Sequence, residues 1–112
     1  MKLNQPVPEL PVLDVERAQQ YYCRYFGCKK EWLYQDKEIG AVSNGETAIF
    51  FRRRTDTFEP VVHWVFCNDV DESYNTLKDL GANIVSDVEE KSWGLRQFTV
   101  HDLDGNIFHF HS

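Results

Sequence analysis

The chain has 112 residues, a hydrophobic share of 42%, an aromatic share of 14% and a formal net charge of -6. That length suits one domain spanning residues 1–112 with a core of its own, and the apolar share excludes a disordered chain. The acidity excludes a nucleic-acid surface, which phosphates require to be basic, and would attract a cationic ligand at long range.

No apolar run approaches the roughly 20 residues of a membrane span, and Met1 to Pro6 lacks the apolar segment of a secretory signal. Cys23, Cys28 and Cys67 have no metal-type spacing. They read as free thiols in a reducing compartment, so a cytoplasmic location is expected, with no membrane partner.

Residues 1–8 form an arm punctuated by Pro6 and Pro8, which favour extended backbone. Leu10 to Leu13 is a short strand, and Asp14 is a helix N-cap without a full capping box. Val15, Ala18, Tyr21, Tyr22, Tyr25 and Phe26 recur at helical spacing until Gly27 ends the helix. Strands are predicted over 31–34, 39–43 and 47–52, the last two joined through Asn44-Gly45, a hairpin dipeptide. A polar connector follows from Arg52 to Pro60, in which Arg52, Arg53 and Arg54 read as a solvated strand end.

The plan then repeats. Residues 61–67 read as a strand, Asn68-Asp69-Val70-Asp71 opens a helix that carries Val70, Tyr74, Leu77 and Leu80 on one side, and Gly81 ends it. Short strands follow at 84–85 and 88–91, then longer ones at 95–101 and 106–111 around an Asp102–Asn106 turn. A period of two sets Ile107, His109 and His111 on one face and Phe108 and Phe110 on the other. The order β-α-β-β-β therefore occurs twice, over about 7–53 and about 60–112. The expected class is α+β: two βαβββ modules forming a curved mixed sheet with a concave cup and helices on the outer face.

Duplicated βαβββ modules, Asp-Val opening a helix, Tyr25-Phe26-Gly27 closing one, and Asp102-Leu103-Asp104-Gly105-Asn106 near the end resemble the vicinal-oxygen-chelate superfamily of glyoxalases, extradiol dioxygenases and bleomycin-resistance proteins. Pro8, Trp93-Gly94 and the run Gly105 to Phe110 look most like the bleomycin-resistance branch. The superfamily's enzymes hold a divalent metal in the cup. Carried over, the ligand positions fall on Val7, Phe50, Val62 and His109. Three of the four are apolar and offer no donor, so no metal, cofactor or catalytic residue is expected. A non-standard site from His63, His109 and His111 would instead support a metal-dependent lyase, isomerase or dioxygenase.

Alternation adds Glu9, Ala48, Arg52, Trp64, Phe66, Ile107 and His111 to the cup, a lining suited to stacking on a flat molecule. In the bleomycin-resistance branch, the resemblance implies a homodimer whose N-terminal arms exchange near Pro8 and whose interfacial clefts sandwich the drug between aromatics. Trp64 and Trp93 match such aromatics, Trp32 falls near a third, and a further one is replaced by Lys37 or Glu38. The expected ligand contacts are Trp32, Phe50, Val62, Trp64, Phe66, Trp93, His109 and Glu9. The expected function is sequestration of a bleomycin-like antibiotic or another aromatic, cationic small molecule, conferring resistance. A scaffold protein whose aromatic surface is simply its dimer interface is the remaining reading.

Overall fold

The computed structural model describes all residues, 1–112. Residues 1–8 have no regular structure. The first module runs β1 (Glu9–Val12), α1 (Val15–Tyr25), β2 (Lys29–Tyr34), β3 (Ile39–Asn44) and β4 (Thr47–Arg53); the second runs β5 (Val62–Phe66), α2 (Val70–Leu80), β6 (Asn83–Glu90), β7 (Arg96–His101) and β8 (Ile107–His111). Each module carries a four-stranded mixed sheet, ordered β1-β4-β3-β2 and β5-β8-β7-β6. In each, the first strand pairs parallel with the last.

Both helices begin at an aspartate whose side chain accepts a backbone N–H of the first turn: Asp14 from Arg17 and Asp69 from Glu72, each at 3.1 Å. Such caps satisfy donors that the helix itself leaves open. Gly81 ends α2 in the left-handed region at φ 87°. Val15, Ala18, Gln19 and Tyr22 turn the buried side of α1 onto Leu10, Val12, Val42 and Phe51, while Val70 and Leu77 turn α2 toward Phe98 and Val100. The opposite face of each sheet has no helix over it.

The predicted strands at 84–85 and 88–91 are one strand, β6. Its register against β7 shifts twice, between Ile84 and Ser86 and between Ser86 and Glu89. Such bulges break the period-two pattern without ending the strand.

The Asp102–Asn106 turn joins the modules. Asp102 Oδ1 accepts the backbone N–H groups of Asp104 and Asn106, both at 2.8 Å, and Oδ2 accepts the Tyr22 hydroxyl of α1 at 2.5 Å. Asn106 is fully buried. Its Nδ2 donates to Asp102 Oδ2 and to the Pro11 carbonyl of β1, and its Oδ1 accepts from Val61 N–H. Asp104 Oδ1 accepts from Leu13 N–H. Gly105 allows the tight return, at φ 84°. Burial, then the facing Asp102 carboxylate, pushes the Tyr22 hydroxyl well above its ordinary pKa, so it stays a donor.

Candidate functional site: two open aromatic sheet faces

Strand alternation decides which side chains reach the open faces. On the second sheet the register pairs Val62 with Ile107, Trp64 with His109 and Phe66 with His111. Their side chains share the face away from α2. The Trp64 ring lies 4.4 Å from His109 and 5.9 Å from His111, and Phe66 lies 5.9 Å from His111. Val62, Trp64 and Phe66 are 49%, 54% and 67% exposed. Trp93 stands at the end of this face on the loop before β7, where its Nε1–H donates to Gln97 Oε1 at 3.2 Å and the Lys91 ammonium approaches its ring to 5.8 Å. A contiguous exposed patch of this kind marks a surface that binds or associates.

The first sheet presents a second aromatic group. Trp32 stacks on Tyr34 at 5.3 Å and meets Phe50 edge-on at 4.9 Å. Glu9 is Phe50's neighbour on β1. Lys37 and Glu38 are drawn instead to Glu16 and Arg53. Tyr34, which the sequence reading did not single out, adds a third ring to this group. The signal was its spacing two residues beyond Trp32 on one strand.

The predicted contacts therefore fall into two groups: Glu9, Trp32 and Phe50 on the first sheet, and Val62, Trp64, Phe66, His109 and Trp93 on the second. The aromatic contacts run within each sheet, and no strand of one sheet pairs with the other. Glu9 is not a free acid, because Arg52 Nε donates to its Oε1 at 2.9 Å in an exposed ion pair. Arg53 and Arg54 are likewise paired, with Glu38 and Asp56.

His109 shares a hydrogen bond with Thr99 Oγ1 through Nδ1, at 2.8 Å. Burial first, then the positive ends of His101 and Lys91, hold its pKa below the ordinary histidine value. A neutral ring is therefore favoured beside Trp64. His63 does not join it. Its ring stacks on Phe108 at 5.1 Å, in the helix-facing layer, while His109 and His111 look the other way. The proposed trio of His63, His109 and His111 fails for that reason, since neighbouring residues of a strand point to opposite faces. At the superfamily's ligand positions, Val7, Phe50 and Val62 bring carbon only. One imidazole does not hold a divalent ion against water, so the donor set does not fit a metal.

A duplicated βαβββ chain with two helix-backed mixed sheets defines the architectural class. A profile of the glyoxalase-like domain matches residues 9–111, and the chain belongs to that family, within the vicinal-oxygen-chelate superfamily. The crystal structure of TioX from Micromonospora sp. ML1 is 27% identical, with a TM-score of 0.81 over 96% of this chain and 97% of that one. A bleomycin-binding protein in complex with bleomycin is 19% identical, with a TM-score of 0.82 over 98% of each chain. The bleomycin-binding protein of bleomycin-producing Streptomyces verticillus, complexed with copper(II)-bleomycin, is 22% identical, with a TM-score of 0.81 over 98% and 96%. The last two likenesses establish the fold alone. No curated protein matches the sequence. No helix of the chain is long and apolar enough to cross a membrane.

Proposed function

We propose that this chain is a non-enzymatic binding protein that acts as a homodimer in the cytoplasm. Two copies bring the first sheet of one against the second sheet of the other, with their N-terminal arms exchanged near Pro8. The clefts so formed capture a bleomycin-like glycopeptide or another aromatic, cationic small molecule, keep it from its target and thereby confer resistance. No bond of the ligand breaks.

The observation that carries this reading is the pair of open aromatic faces. Trp64, Phe66 and His109 face one way on the second sheet, with Trp93 beside them on the loop before β7; Trp32 and Phe50, with Tyr34, form a group on the first. Each buried ring contributes on the order of 1–3 kcal/mol, so two or three stacked contacts reach micromolar affinity. The neighbours of the same fold that are complexed with bleomycin agree with this ligand class. Cation attraction rests on the net charge of -6 more than on Glu9, which Arg52 already neutralises.

Capture predicts protection of DNA from bleomycin cleavage that rises in proportion to added protein and ends at stoichiometric equivalence. The drug should be recovered with its mass unchanged. Drug returned with an altered covalent structure would refute capture, as would protein that stays monomeric at the protecting concentration.

A further inference from the structure

An apolar cleft of about 320 Å³ opens on the other side of the molecule, between α2 and the β3–β4 hairpin. Its volume lies at the lower bound of small-molecule sites. Phe26, Phe108 and Phe110 give it an aromatic floor, and Leu77 of α2 forms a wall. The two helices that flank it pack differently on their sheets. Gly40 lets α1 close onto its sheet, whereas Tyr74 of α2 packs edge-on against Phe98 at 5.3 Å.

The chemistry of the lining restricts the occupant. No lysine, arginine or histidine lines the cleft, and Glu72 is its one carboxylate. Thr47, Ser73 and Thr76 bring hydroxyl-bearing side chains to the same lining. The Cys28 thiol, pushed up to about 11 by burial and then by Cys23, is neutral near pH 7. An apolar floor under a rim with one negative charge favours a flat ring bearing a cation and disfavours an anion.

We propose that this cleft is a second ligand site, separate from the open sheet faces, that takes a small aromatic amine. The ring lies against Phe108 and Phe110, and the ammonium points to Glu72 and the rim hydroxyls. This site does not depend on the capture reading above, and its occupant need not be the ligand of the sheet faces.

The test is an amide chemical-shift titration of the full chain with tryptamine, alongside the uncharged indole-3-ethanol. Saturable shifts are expected at the amides of Cys28, Cys67 and the first turns of α2, with the indole N–H signals of Trp64 and Trp93 unmoved. Thr76→Trp fills the mouth from an exposed helix position and should weaken both probes at least tenfold. Ser73→Leu, a smaller filling from the same helix, should weaken them in the same order and covers the case in which the tryptophan variant misfolds. Glu72→Gln should weaken tryptamine several-fold and leave indole-3-ethanol unchanged. No saturable shift at millimolar tryptamine would overturn the proposal. So would shifts centred on the Trp64 and Trp93 indoles, or equal affinity in wild type and the folded filled variants.

Discussion

The two helices occupy equivalent places and pack differently. Counting from their caps sets Ala18 against Ser73, Gln19 against Tyr74 and Tyr22 against Leu77. Counting back from the caps and across the sheets sets Gly40, beside Phe51, against Phe98, beside Phe110. In the first module a Cβ on Gly40 would stand 2.7 Å from Val15 Cγ1 and 2.9 Å from Gln19 Nε2. The Gln19 amide uses that closeness to donate to the carbonyls of Trp32 and Ala41. In the second module two rings occupy the same layer. Four residues of α1 are buried and two of α2, and Ser73, the counterpart of buried Ala18, lines the cleft. A duplication preserved in topology has thus been specialised through one small residue and one large one.

Substitutions can break that contrast, and the largest effect is expected at the buried tether of α1, since the Tyr74–Asp87 hydrogen bond of α2 is exposed. Asp102→Ala removes the acceptor of Tyr22, Asp104 and Asn106 in one step and leaves buried donors unpaired. A loss of about 3 kcal/mol is expected in urea unfolding. Gly40→Ala forces α1 off its sheet and should cost about 2 kcal/mol, with the loss of the Gln19 hydrogen bonds visible as faster amide exchange around Trp32 and Ala41. Exchanging the paired residues Ala18 and Ser73 is more selective. Ala18→Ser puts a hydroxyl into a closed layer and should cost about 1 kcal/mol, whereas Ser73→Ala, beside the cleft, should stay within about 0.5 kcal/mol of wild type. Equal costs for the two would mean that the helices are packed alike.

Acid should loosen the second module first, because His63 and His109, the two histidines whose pKa the fold depresses, both belong to it. Burial holds the pKa values of His63 and His109 below their ordinary value of 6.5. The folded state therefore favours their neutral forms. Their contribution is complete above about pH 6.5 and is lost as pH falls below it through the depressed folded values. The urea midpoint should drop modestly from pH 7.5 to 5.5, and His63→Phe, which keeps the stack on Phe108, should flatten that drop.

Much of this was legible in the chain itself. Asp14-Val15 and Asp69-Val70 located both helix starts, Asn44-Gly45 the hairpin, and alternation the open faces, because each signal is local. The two bulges of β6 hid its continuity by breaking that alternation. The part played by Asp102 was hidden for another reason: its sequence neighbours explain a turn, while Tyr22 and Pro11 reach it only after both modules have folded. Trp64 and Phe66 could be assigned to an open face by alternation, whereas Trp32, beside the register shift between Lys30 and Leu33, was placed only by the family resemblance. That His63 lies on the other face follows from the same alternation once the register with Phe108 is known. The approach of one copy's faces to another's lies outside what any single chain's periodicity encodes.

The most direct measurement of capture is tryptophan fluorescence titrated with bleomycin, metal-free and copper-loaded, for wild type, Trp64→Ala and Trp93→Ala. The account predicts saturable quenching that ends at one ligand per chain and is weakened in both variants. An unchanged signal up to high-micromolar drug, or quenching that both variants retain at wild-type affinity, would contradict it.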